Sequence, residues 1–203
     1  MAASLVIIDT GCANISSVKF AVERLGIQAI VSDDVDIISK AQRVIMPGVG
    51  SAPAAMASIQ RKHLSQCIQS LSQPVLGVCL GMQLMVDTSQ ENHMGNDQDT
   101  PCLGLIPGRV TRMESANLTL PHMGWNRVYS VKENPLFANI DDGAHFYFVH
   151  GYAVPKYEHT LATCHYHDHF SAAICKDNFF GVQFHPERSS DAGAQLLKNF
   201  SRI

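Results

Sequence analysis

The sequence of 203 residues is 46% hydrophobic and carries 15 Lys and Arg against 18 Asp and Glu, a formal net charge of -3 with histidine neutral. A chain of this size and apolar content buries one sizeable core, and without a basic run it offers no footing for nucleic-acid binding. The short apolar stretch Leu5–Ile8 stops at Asp9 and follows no cationic segment, so neither a secretory signal nor a membrane span is expected. Cys12, Cys67, Cys79, Cys102, Cys164 and Cys175 are scattered with no CxxC pair, which points to reduced thiols and a cytoplasmic setting or an equivalent organelle compartment. Nothing resembling a linker divides residues 1–203, and a single domain is expected.

In chain order, 5–9 reads as a buried strand and 13–25 as a helix, with Ile15, Val18, Val22 and Leu25 at helical spacing and Gly26 ending it. Further strands are expected at 27–31, 43–46 and 75–78, separated by helical stretches at 35–39 and 52–71. That alternation argues for an α/β fold, a parallel sheet with helices on both faces. The second half is richer in strands, with candidates at 109–113, 125–131, 144–150, 160–164, 171–175 and 179–183. A closing helix runs from Ser189 or Ser190 to about Phe200. The polar run 89–100 reads as a surface loop. Cys164, His165, His167, Asp168 and His169 read as an exposed hairpin rather than a metal site, because no second ligand cluster of matching spacing accompanies them. Met82 and Met85 read as core residues.

Chemistry is concentrated in two places. In Gly77-Val78-Cys79-Leu80-Gly81-Met82-Gln83, a cysteine directly follows an apolar run and is flanked by small residues. This suits a sharp strand-to-helix turn that exposes a nucleophile, with the free N–H groups and dipole of the following helix favouring a thiolate. In His185-Pro186-Glu187, residues two apart on an extended segment share a side, and the proline keeps His185 out of the helical region. Glu187 then orients the imidazole, leaving its other nitrogen to face Cys79. Both segments fall at carboxyl ends of expected strands, where open α/β sheets place their sites. A third strand end, Met46-Pro47-Gly48-Val49-Gly50-Ser51, has glycines on both sides of Val49. Its Val49-Gly50 peptide and the Leu80 N–H are candidates for an oxyanion hole.

The Gly-Val-Cys-Leu-Gly-Met-Gln elbow, the His-Pro-Glu pair and the Pro-Gly-Val-Gly turn resemble those of the class I, triad-type glutamine amidotransferases. Within that class, three segments are similar to the glutaminase subunits of imidazole glycerol phosphate synthases: Pro121-His122-Met123-Gly124-Trp125-Asn126, Tyr147-Phe148-Val149-His150-Gly151-Tyr152 and the opening Asp9-Thr10-Gly11-Cys12-Ala13-Asn14. The likeness covers nearly the whole chain. It implies an open, mostly parallel twisted sheet flanked by helices, in flavodoxin-like layering, with additional antiparallel strands in the second half.

The resemblance also implies glutamine hydrolysis to glutamate and ammonia by Cys79, His185 and Glu187, with no metal and no organic cofactor. Substrate contacts would come from Gly48, Gly50, Gln83, His150, Gly151 and Tyr152. The ammonia would pass to a separate (β/α)8-barrel cyclase subunit in a heterodimer that serves histidine biosynthesis. Pro121, Met123, Gly124, Trp125, Asn126 and Arg188 would dock that partner. A flip of the Val49-Gly50 peptide would complete the oxyanion hole only when ligand binds the partner. Two alternatives share the elbow and the dyad: a glutaminase of another class I complex, such as that for pyridoxal phosphate synthesis, and a free-standing cysteine hydrolase.

Overall fold

The computed structural model describes residues 4–11, 14–92, 98–114 and 117–203. Cys12 and Ala13 of the opening segment, and 93–97 of the polar run, lie outside the described residues. Strands β1 (Leu5–Ile8), β2 (Ala29–Ser32), β3 (Val44–Gly48) and β4 (Val75–Cys79) alternate with α1 (Ile15–Arg24), α2 (Val35–Ser39), α3 (Ala52–Arg61) and α4 (Leu64–Gln69). After α5 (Leu80–Gln83) come β5 (Thr88–Ser89), β6 (Thr100–Pro101), β7 (Arg109–Arg112), β8 (His122–Ser130), β9 (Ala144–His150), β10 (Tyr152–Ala153), β11 (Thr160–Tyr166), β12 (Asp168–Lys176) and β13 (Phe179–Val182), with α6 (Ser190–Phe200) last.

Nine strands form one sheet in the order β2-β1-β3-β4-β13-β12-β11-β8-β9. The first five pair in parallel and the remaining pairs are antiparallel, as the strand-rich second half implied. A small second sheet runs β10-β7-β5-β6. The continuous apolar runs of β1, β3, β4 and β13 follow from burial on both faces, whereas β2 at the edge of the sheet leaves Ile30 and Val31 exposed. Leu5 and Ile7 enter one core with Val18 and Val22 of α1 and Leu196, Leu197 and Phe200 of α6, while Val6 and Ile8 enter the other with Ile38, Ile59, Leu64 and Ile68 from α2, α3 and α4.

The expected single helix over 52–71 is two helices. His63 between them adopts φ 56°, a left-handed conformation that turns the chain before α4. The run 89–100 is likewise not all loop, since β5 and β6 pair across its two ends. Cys164 sits fully buried in the core, whereas His165 and His169 pair across the β11–β12 hairpin that turns at His167.

Candidate active site

Cys79 ends β4 in an unusual backbone conformation, φ 53° and ψ -111°, which a non-glycine residue adopts only under strain of order 1–3 kcal/mol. The surroundings hold it there. Gly48 and Gly77 pack against the backbone of the turn, and a Cβ added to Gly81 would lie 1.9 Å from the Met46 carbonyl oxygen. No side chain fits at Gly81, so the elbow presses directly onto β3. The helix beyond it is only one turn long, Leu80–Gln83. The dipole expected to favour the thiolate is correspondingly small, and direct contacts with the sulfur matter more.

Pairing of β4 beside β13, with Val78 opposite Val182, brings His185 to the same strand ends. The His185-Pro186-Glu187 segment is clamped from β9: the His185 N–H donates to the Tyr147 carbonyl at 2.9 Å, the Ser189 hydroxyl donates to the His185 carbonyl at 2.6 Å, and the Tyr147 N–H donates to Ser189 Oγ at 2.9 Å. His185 Nδ1 lies 2.8 Å from Glu187 Oε1, with both side chains buried. A carboxylate at Nδ1 fixes the proton there in the neutral ring and leaves Nε2 as a base. Nε2 makes no hydrogen bond. It is therefore available to a thiol or a leaving group, and Cys79 lines the same cavity. Burial, the largest single influence, works against the imidazolium, but Cys79 and Glu187 together outweigh it and raise the His185 pKa to about 10. Burial instead lifts Cys102 and Cys164 to about 12 and Cys175 to about 11, which makes them inert thiols.

Cys79, His185 and Glu187 open onto a cavity of about 270 Å³ that is also lined by Val49, Gly50, Leu80, Gln83, His150, Gly151, Tyr152 and Arg188. Nearly every expected site residue is thus gathered at one place. Of the expected catalytic, oxyanion and substrate residues, Gly48 alone is not among the lining: it is buried behind the elbow, where a Cβ would come within 2.7 Å of the Gly81 nitrogen, so its lack of a side chain shapes the turn. Gly50 has φ +96°, a conformation that favours glycine, and open space where a Cβ would stand. A larger depression along 130–138 offers no nucleophile paired with a base.

Glu91 also lines the cavity, although in the sequence it is one more residue of a polar run with the look of a surface loop. Its Oε2 accepts the Ala52 N–H at 2.7 Å, which places a carboxylate at the N-terminal end of α3. Asn14 is a second addition.

Met123 and Trp125 project outward from β8, 63% and 53% exposed, and Trp125 stacks edge-on to Tyr147, over whose ring Arg188 lies at 4.6 Å. Pro121 follows a cis peptide just ahead of this strand, and Gly124 takes φ +133° within it. Asn126 is on the other face of the strand. Half-buried, it lies 3.3 Å from His122 Nε2 and donates to the His165 carbonyl at 3.0 Å, so it supports the histidines behind the site.

Those inward contacts define a chain of histidines. The Tyr152 carbonyl can only accept, so His150 Nδ1 donates to it at 2.8 Å, and His150 Nε2 accepts from His122 Nδ1 at 3.0 Å. Both rings are held neutral, chiefly by burial, with pKa values of about 3 for His150 and about 4 for His122. Above the unfolded value of roughly 6.5 the neutral rings cost nothing. As pH falls below it the unfolded chain takes up protons that the folded one refuses, so stability is lost down to the folded values. We expect the pH dependence of thermal unfolding to be steeper in the parent than in a His150→Gln variant, which keeps a donor and an acceptor. The difference should be on the order of 1 kcal/mol per pH unit between roughly pH 6 and 4. Parallel profiles would show that His150 takes up its proton while folded.

The chain matches the class-I glutamine amidotransferase profile over residues 6–203. It belongs to that family. The amidotransferase is similar to proteins named imidazole glycerol phosphate synthase subunit HisH: it is 57% identical to that of Shewanella sediminis over 97% of this chain and 89% of the relative. It is 54% identical to that of Haemophilus influenzae over 97% and 96%, and 52% identical to that of Colwellia psychrerythraea over 98% and 92%. Its fold is shared with a crystal structure of a glutamine amidotransferase, at a TM-score of 0.73 and 15% identity over 98% of this chain and all of that one. The structure of PurLQS from Thermotoga maritima matches at a TM-score of 0.69 and 16% identity, over 98% of each chain. Among the described residues, no helix of the amidotransferase is long and apolar enough to cross a membrane.

Proposed function

We propose that the chain is the glutaminase subunit of an imidazole glycerol phosphate synthase, hydrolysing glutamine and handing the ammonia to a (β/α)8-barrel cyclase subunit in histidine biosynthesis. The observation that carries this reading is identity above 50% to HisH proteins over nearly the full length of both chains. The chemistry follows from the cavity. Cys79 attacks the side-chain amide carbon and His185 Nε2 takes the thiol proton. The imidazolium then protonates the leaving nitrogen, the C–N bond breaks, and ammonia departs. Water hydrolyses the γ-glutamyl thioester with His185 as base, while Glu187 steadies the ring throughout. The peptide N–H groups at Gly50 and Leu80 meet the developing oxyanion.

Substrate recognition rests on charge and on the remaining donors and acceptors. Gln83 spends its NH2 on the Tyr152 carbonyl and on Gln183 Oε1, both at 2.9 Å. This leaves a carbonyl oxygen to accept an N–H of glutamine. Glu91 supplies negative charge for the substrate ammonium, and the cavity wall at His150, Gly151 and Tyr152 holds its amino-acid end. The exposed Met123 and Trp125 run into Tyr147 and Arg188 at the cavity mouth. An aromatic and arginine cluster of this kind suits a docking surface, which supports a partner seated beside the cavity mouth. Closure of the oxyanion hole by rotation of the Val49-Gly50 peptide would tie turnover to the partner's ligand.

The deciding assay is glutamate formation by the purified chain, alone and with a barrel cyclase and its nucleotide ligand. Strong activation by the pair is expected. Equal turnover without the partner would overturn the reading in favour of a free-standing hydrolase.

A further inference from the structure

Gln183 follows the last residue of β13 and is completely buried beside the reacting sulfur. Its amide lies between Gln83 and Cys79, and its orientation follows from its neighbours. The Tyr152 carbonyl can only accept, so Gln83 must turn its NH2 towards it. The same NH2 reaches Gln183 Oε1 at 2.9 Å. With its oxygen committed to Gln83, Gln183 aims its own NH2 at Cys79, and Nε2 stands 3.7 Å from Sγ. A fully buried NH2 needs an acceptor. A thiol is a poor one, whereas a thiolate accepts strongly.

We propose that Gln183 is a further catalytic residue of this site, donating an N–H to the Cys79 sulfur whenever that sulfur carries negative charge, with Gln83 as the positioning residue that sets its orientation. The proposal rests on the reading of Cys79 as the nucleophile of a glutaminase. Negative charge is on the sulfur twice in the cycle. Before acylation the thiol proton has moved to His185. When the S–C bond forms and the C–N bond breaks, the sulfur becomes neutral in the thioester. In the second half water gives a proton to His185, its oxygen bonds to the acyl carbon, and the C–S bond breaks with its electron pair returning to sulfur. The N–H of Gln183 meets the thiolate at the start and again as the leaving group. The four-residue α5 gives this sulfur little help from a helix dipole, so a side-chain donor takes that role.

The test is the pH dependence of iodoacetamide alkylation at Cys79 in the full chain, followed by peptide mass spectrometry, for the parent, Gln183→Met and Gln183→Glu. Methionine removes the donor at similar volume. Glutamate keeps an acceptor for Gln83 and places an oxygen against the sulfur. The half-maximal pH for alkylation should rise by about one unit in Gln183→Met, an approximately tenfold slower labelling at neutral pH, and further in Gln183→Glu. Glutamine turnover should fall in both, with thioester accumulating after a glutamine pulse. A midpoint equal to the parent's in a variant with an unchanged thermal transition would overturn the proposal. If Gln183→Met does not fold, the midpoint of Gln183→Glu decides in its place. Alkylation requires neither glutamine nor partner, so a parent that fails to hydrolyse glutamine with its cyclase would overturn the glutaminase reading separately, while the midpoints still decide whether Gln183 bonds the sulfur.

Discussion

Replacing Cys79 with glycine is expected to abolish glutamine hydrolysis, by on the order of 10⁵-fold or more, and yet to give a protein more stable than Cys79→Ala. Both variants lack the nucleophile, so activity does not separate them. Stability does. At an ordinary position glycine is less stable than alanine by about 0.5–1 kcal/mol, because its unfolded chain has more freedom to lose. Residue 79, however, is held at φ 53° and ψ -111°, where any side chain carries strain of about 1–3 kcal/mol. Strain relief is the larger quantity, and the usual order reverses. Urea unfolding of the two variants measures it directly, and an alanine variant that is the more stable would mean that the elbow is relaxed.

The second large effect is expected at Gly81→Ala. Within a helix this exchange ordinarily stabilises by about 1 kcal/mol. Here the new methyl would stand 1.9 Å from the Met46 carbonyl oxygen, and backbone on both sides leaves no flexible atom to yield. The elbow must lift from β3 or the strand must shift, so a loss of more than about 3 kcal/mol is expected, together with loss of activity as Cys79 moves relative to His185. Gly151→Ala serves as the control for stability, since nothing lies within 4 Å of its added Cβ. Equal unfolding midpoints for the two alanine variants would contradict the close packing of the elbow.

Much of this architecture is written in local pattern. The apolar runs at β1, β3 and β4 are unbroken because both faces are covered; Cys79 is announced by the small residues around a cysteine at the end of such a run, and His185 and Glu187 by the proline between them, although 186–188 forms a 3-10 turn rather than the extended segment expected. What escaped the sequence depends on distant parts of the chain. The break between α3 and α4 rests on one left-handed histidine, a residue with no turn signature of its own. Glu91 looks like a solvated charge until α3 delivers the Ala52 N–H to it across 39 positions. Asn126 sits in a segment that reads as docking surface, but strand alternation points it inward. Gln183 gains its meaning only when β4 and β13 become neighbours.

That neighbourhood orders events in time. β13 is the middle strand of the nine, yet it is nearly the last to be made, and it enters between β4 and β12. A nascent chain that has emerged only as far as β12 has its elbow but neither the base nor the carboxylate, and it has an unfilled slot at the centre of its sheet. Pairing of segments so far apart in sequence is intrinsically slow. Glutamine hydrolysis therefore depends on the last strand and the segment after it, because Cys79 without them lacks both its base and the carboxylate that orients that base.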